Sequence, residues 1–408
     1  MRATWTLVHR YLGLLTAGFL FISGLTGAVI SWDHELDDLL NPHLMEAHTP
    51  GKPQPSLELA RQIEQRHPDA KVSYIPLHAI HGKSLGFGVD ATGFNQVFVD
   101  PVSGTELGKR EWGAVWPISK ETLVSFLYRL HYSLHIPEMW GIDRWGIWLM
   151  GVIAMVWVVD SFVGFYLTLP VRARTPAARG WWQRWKPAWK VRWGGGGAKL
   201  NFDLHRAFSL WTWGLLFVLA FTAFSLNLYR EVFYPVMKTV SEVTPTPFDT
   251  RVPRDLHNPI VARAGYEKIL QQAALEAQRR DWKEPAGSVF YSQAYGIYGV
   301  SFFKPGDDHG AGGVGPAVLY YDGLDGRLLG DRQPWKGTAA DIFVQAQFPL
   351  HSGRILGLPG RILISVMGIV VAMLSVTGVV IWWRKRSSKL RAAAAQLDAK
   401  RSAIQPAL

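Results

Sequence analysis

Three observations predict a membrane protein of the α+β class. Four apolar runs are each long enough to cross a bilayer, long polar stretches follow the first and third, and the second half of the chain repeats the first. The expected architecture is four transmembrane helices in a bundle with two α+β modules outside the membrane, one module per copy of an internal tandem repeat.

The elements follow in order. A bilayer core of about 30 Å needs roughly 20 apolar residues in a helix. Residues 11–31, 145–170, 208–229 and 361–383 meet that need. The first run is too long for a signal-peptide core and no small-residue cleavage site follows it, so it reads as an anchor. Residues 1–32 then form an N-terminus and first span, 33–144 a first outer module, and 145–170 the second span. Residues 171–203 form a basic Trp-rich loop, 204–229 the third span, 230–360 a second outer module, 361–383 the fourth span and 384–408 a basic tail. Mean hydropathy is only +0.05 because the polar modules dilute the spans. The 19 Trp collect near span ends, as aromatic belts do.

Orientation follows from Lys and Arg. Residues 171–199 after the second span are basic and hold no Asp or Glu, and the tail opens with Arg384-Lys385-Arg386. Both segments and the N-terminus are expected in the cytoplasm of a bacterial inner membrane, with both modules in the periplasm. The formal charge of +11 is thus mainly a topology signal, and the Trp-laced basic loop reads as an anchor on membrane lipid, with no nucleic acid as partner. The absence of cysteine excludes disulfides, thiolate chemistry, Cys-ligated Fe–S clusters and covalent C-x-x-C-H haem. Any redox group must be held by His, carboxylates, Met or Tyr.

Aligning the halves places His9-Arg10 on His205-Arg206 and His135 on His351. Asp100-Pro101-Val102-Ser103-Gly104 falls on Asp322-Gly323-Leu324-Asp325-Gly326, a hairpin turn in which Gly supplies the positive φ. The second turn departs from the first at its middle residues, which puts equal geometry in question. Helices are expected over 56–68 and from Tyr266 to Arg280, with short strands after each.

These features carry a resemblance. A helix–strand–strand module with a D-P-x-[ST]-G hairpin, flanked by spans with L-H-R and L-H-S/I motifs, resembles the PepSY-associated transmembrane family over roughly residues 5–386. Within it the chain is similar to inner-membrane siderophore reductases. That similarity implies two non-covalent, bis-His haem b groups, a ferric siderophore or other ferric chelate as electron acceptor, and Fe(II) release during iron uptake. The electron donor, a quinol or a flavin reductase, is not written in the chain.

The haem-iron ligands expected are His9 with His205 near the cytoplasmic side and His135 with His351 near the outer side, since each pair shares one depth in the predicted topology. Facing helices of a bundle do build cofactor sites this way. The plain alternative for each is an interfacial histidine. Arg10 and Arg206 are candidates for haem propionates, or are simple positive-inside anchors. Gly13, Gly18, Gly24 and Gly27 make room for a flat macrocycle or for close helix approach. His131 lies four residues before His135, on the same face if that stretch is helical. It aligns with Gln347 and is read as a supporting or substrate-facing residue. His34, His43, His48, His67, His78, His81, His257 and His309 show no metal spacing. Aromatics of "WGAVWP" and "YSQAYGIYGVSFF" are expected to form the acceptor's docking surface.

No side chain is needed as general acid or nucleophile for outer-sphere electron transfer. Two other classes fit the family pattern: a regulator of a periplasmic peptidase, and a permease subunit for a metal chelate. Against the permease stand the scarcity of intramembrane ionisable residues, Asp160 being the main exception, and the expectation of unbroken spans. No G-x-G-x-x-G nucleotide fold is expected.

Overall fold

Long apolar sequence free of interior Pro leaves the backbone no partner but itself in a bilayer, and it folds into long helices. In the computed structural model, which describes residues 1–171, 180–255 and 258–404, the main helices are α1 (Arg2–Ile30), α2 (Asp33–Leu40), α3 (Ser56–Arg66), α4 (Lys120–Ser133) and α5 (Trp145–Thr168). They continue with α6 (Gly197–Trp211), α7 (Trp213–Asn227), α8 (Tyr266–Arg279), α9 (Ala339–Ser352) and α10 (Leu358–Ile404). Part of the basic Trp-rich loop, and His257, lie outside the described residues. The chain divides into two units: Met1–Ala28 with Ile147–Asn227 and Leu363–Leu408, and Val29–Gly146 with Leu228–Ile362.

The first unit holds the spans. Helices α1, α5 and α10 are each long and apolar enough to cross a membrane; α6 with α7 makes a fourth crossing if the pair is one span. That pair bends by 73°, which corrects the expectation of unbroken spans. The bend falls at Thr212, whose hydroxyl donates back to the Phe208 carbonyl at 2.7 Å, a bond that competes with the helix ladder. Leu216, Leu219, Met367, Val370 and Val371 are buried together, with Leu20 of α1 and Trp157 of α5 against them. Gly24 serves close approach: a Cβ there would lie 2.6 Å from the Gly368 carbonyl oxygen.

The second unit holds one sheet. Strands β1 (Lys71–Pro76), β2 (Leu85–Asp90), β3 (Gln96–Val99), β4 (Glu106–Arg110), β5 (Ala286–Ser292), β6 (Ile297–Phe302), β7 (Ala317–Asp322) and β8 (Leu328–Arg332) lie in the order β4-β3-β2-β1-β5-β6-β7-β8. Every pairing is antiparallel. The strands of residues 71–110 and those of residues 286–332 therefore join edge to edge in one sheet. The first strands of the two sets pair with Tyr74 opposite Phe290 and Ile75 opposite Val289, which removes two exposed sheet edges at once. Ile63 of α3, Ile269 of α8 and Ile75, Phe87 and Val289 of the sheet share one core and are fully buried.

The two hairpin turns share one geometry despite their different middle residues. The Gly104 amide donates to the Asp100 carbonyl and the Gly326 amide to the Asp322 carbonyl, both at 2.9 Å, and both glycines have positive φ. Each Asp carboxylate also accepts the amide two residues on, so the aspartate shapes the turn and the residues between are free to vary. Gly310-Ala311-Gly312-Gly313-Val314-Gly315 has the G-x-G-x-x-G spacing, but it joins antiparallel β6 to β7 and opens no helix of a nucleotide fold.

Candidate histidine-pair sites

In the spanning unit, the His9 ring on α1 and the His205 ring on α6 have centres 6.3 Å apart. They line a cavity of about 430 Å³ together with Asp160, Arg10 and Arg206. His9 Nδ1 donates to both carboxylate oxygens of Asp160, each at 3.0 Å. His205 Nδ1 donates to the Leu374 carbonyl at 3.1 Å and the Thr377 hydroxyl at 3.0 Å. That hydroxyl spends its own proton on the Met373 carbonyl, which leaves its oxygen to accept. With both Nδ1 atoms protonated and held, each ring keeps its Nε2 lone pair for a metal.

Glycines make space for the two rings. A Cβ on Gly164 of α5 would come 3.3 Å from His9 Cε1, and one on Gly378 of α10 would come 3.1 Å from His205 Cε1. Gly13 also lines the cavity. Arg206 divides its guanidinium between the Pro187 carbonyl at 2.8 Å and Asp203 at 3.0 Å, while its buried Nε has no partner among the described residues. Arg2, Arg10 and Lys385 add basic groups to the lining, against which Asp160 is the acid.

In the second unit, the ring beside His351 belongs to His131, with centres 6.0 Å apart. The expected pairing of His135 with His351 is thereby corrected. Helix α4 ends at Ser133, and Leu134 and His135 have φ of 54° and 53°, so the chain turns away before His135 can share a face with His131. His135 stacks on Phe126 with centres 4.5 Å apart and donates from Nε2 to the Phe126 carbonyl at 2.8 Å. Burial pushes its pKa below the usual imidazole range.

His131 and His351 stand alike. Each lies in the last turn of its helix, α4 or α9, and each helix stops at a left-handed residue, Leu134 or Gly353. Beyond each stop a glycine meets the helix end: a Cβ on Gly146 would lie 2.0 Å from the Ser133 carbonyl oxygen, and one on Gly360 would lie 1.9 Å from that of Gly353. The signal was present as Leu130-His131 and Leu350-His351. The connection after α4 is longer (134–144, against 353–357 after α9), so an alignment of the halves without a gap there sets the second Leu-His, and not the first, on His351.

A second cavity, of about 460 Å³, lies wholly in the sheet-bearing unit and is lined by His34, His78, His309, Lys83, Arg354 and Arg361 among others. His34 and His309 have ring centres 4.9 Å apart. Arg361 grips Glu35 through two contacts of 2.7 Å and holds its carboxyl down to about 2. The expected aromatic docking surface is placed differently. Tyr298 and Phe302 are core residues, the Tyr291 hydroxyl donates to the Ile260 carbonyl at 2.7 Å, and Trp116 is exposed.

Among the described residues, no group of three or more His, Asp or Glu is placed to hold a bare metal ion. Spans, sheet and histidine pairs together define a multi-pass membrane protein of mixed helix and sheet. The chain belongs to the family of PepSY-associated TM regions, which it matches over residues 6–385. A comparison with curated proteins found no match.

Proposed function

We propose that this chain is an inner-membrane, dihaem b-type reductase with both termini cytoplasmic, delivering electrons to periplasmic ferric siderophores and releasing Fe(II). The observation that carries the reading is the pair of imidazole pairs, with ring centres 6.3 Å and 6.0 Å apart. Metal–imidazole bonds of about 2 Å would let both rings of a pair hold one metal at roughly that centre-to-centre distance.

Non-covalent haem held at each pair would supply one-electron chemistry. His9 with His205, and His131 with His351, are the ligand pairs. Arg10 and Arg206 line the first pair's cavity and offer charge to propionates. The acceptor's dock in this reading is the polar cavity lined by His34, His78 and His309. Hard oxygen donors grip Fe(III) more tightly than Fe(II), so one electron per iron loosens the chelate. The donor is a quinol or a flavin reductase.

The test is a reduced-minus-oxidised spectrum and haem assay of protein purified after expression with ample haem, followed by reduction of a ferric siderophore by the pre-reduced protein. About two haems per chain and reoxidation by the chelate are expected. Colourless protein returns the reading to a peptidase regulator. The 73° bend of α6 against α7 favours one other reading, a permease for a metal chelate, because broken spans place bare backbone groups at membrane depth. Chelate uptake into proteoliposomes without reduction would establish that reading instead.

A further inference from the structure

The two imidazoles of the first pair sit in matching places with unequal partners. Asp160 precedes Gly164 by four residues and Leu374 precedes Gly378 by four, and each glycine faces its histidine's Cε1. At these matched positions α5 presents a carboxylate to His9 Nδ1 and α10 presents only a backbone carbonyl, with a hydroxyl beside it, to His205 Nδ1. Asp160 is 7% exposed, in a span where an ionisable side chain is costly and needs a partner. Its neighbour in the cavity is the ring it holds.

We propose that Asp160 is a positioning residue that fixes the His9 tautomer and strengthens His9 as a donor, so lowering the reduction potential of the metal held by His9 and His205. The inference rests on the haem reading above. A carboxylate accepting from Nδ1 pulls that proton away from the ring and enriches Nε2 in electron density. A richer ligating nitrogen would favour Fe(III) over Fe(II). The Leu374 carbonyl and Thr377 hydroxyl are neutral and orient His205 with far less of this effect. The site therefore gains an electron less readily and passes it on more readily, as the first relay of an outward path requires.

The experiment is a redox titration of the purified haem-loaded chain, with the potential that disappears in His205→Ala assigned to this site. In Asp160→Asn, whose amide oxygen still accepts from Nδ1, the site's equilibrium should shift at least tenfold toward the reduced form, about 59 mV for one electron. The other site should not move. Thr377→Val, which leaves the Leu374 carbonyl in place, should shift it by less, and Asp160→Glu should stay near the unmutated value. If Asp160→Asn loses its haem, Asp160→Glu carries the test by retaining both haem and potential. An unmoved potential in Asp160→Asn at full haem content overturns the inference and leaves the haem reading standing, as do equal shifts in the Asn and Glu variants. An unmutated protein without haem overturns the reading itself.

Discussion

The His9–His205 pair and the His131–His351 pair reach nearly the same ring separation from different scaffolds. The first is set by neighbouring helices: α5 and α10 reach over with Asp160, Leu374 and Thr377 to hold the Nδ1 atoms and with Gly164 and Gly378 to clear space. The second is set by helix ends, where α4 and α9 stop in a left-handed residue and a following glycine lets the chain turn tightly past the last carbonyl. The difference teaches that one pair depends on which side chains face it and the other on where two helices stop.

The largest effect should come from removing a ring of either pair. On the proposed reading, His131→Ala or His351→Ala should cost one of two haems, and so should His9→Ala or His205→Ala, by pyridine haemochrome assay, because removing one of two imidazole ligands would leave the iron weakly held. His135→Ala should keep both, since its ring is committed to Phe126. Loss of a haem there, with His131→Ala intact, would reverse the assignment of the second pair.

Next come the glycines, which separate the scaffolds. Gly146→Ala and Gly360→Ala drive a methyl into a carbonyl oxygen, and overpacking of this kind costs about 1–3 kcal/mol. Thermal unfolding in detergent should show it, with the spectrum of the second pair disturbed and that of the first preserved. Gly164→Ala and Gly378→Ala press on a ring edge that can tilt, so a smaller loss of stability and a change confined to the first pair are expected.

Acid should touch the sheet-bearing unit through His135. Its pKa is lowered by burial, so the unfolded chain takes up the proton first. Its contribution is complete above about pH 6.5 and declines as pH falls from there toward its folded value. His135→Phe, which keeps the stacking on Phe126, should flatten that part of a stability profile measured by denaturant titration. The smallest effect belongs to Glu35. Its folded pKa is depressed from 4.5 to about 2, so its ion pair with Arg361 acts fully above pH 4.5 and fades as pH falls toward 2. The Glu35 side chain is half exposed, and Glu35→Gln should cost less than about 1 kcal/mol at neutral pH.

How much was legible can be argued residue by residue. His9 and His205 were visible because each opens an apolar run behind the same Leu/Val-His-Arg pattern. Asp160 was visible as an acid inside a span, though not as the partner of His9, because 151 residues separate them. The sequence does not separate His131 from His135 as the partner of His351, since where α4 stops depends on Leu134 entering the left-handed region, for which Leu has no preference. Nor does local sequence announce the bend at Thr212, because a Thr hydroxyl can bond back in a straight helix as well.

Short-range chemistry and length settle which runs are apolar enough to span, which strands alternate, where Asp and Gly turn a hairpin, and that cysteine plays no part. Only the tertiary structure decided that the strands of both halves join through β1 and β5 into one sheet, that His351 meets His131, and that Asp160 holds His9 while Leu374 faces His205. The physical reason is range. Spans and turns are fixed by residues within a few positions of one another, whereas an edge pairing or a ring pairing is selected by backbone groups and side chains far apart in the chain, whose competition for partners is settled only when they are packed together.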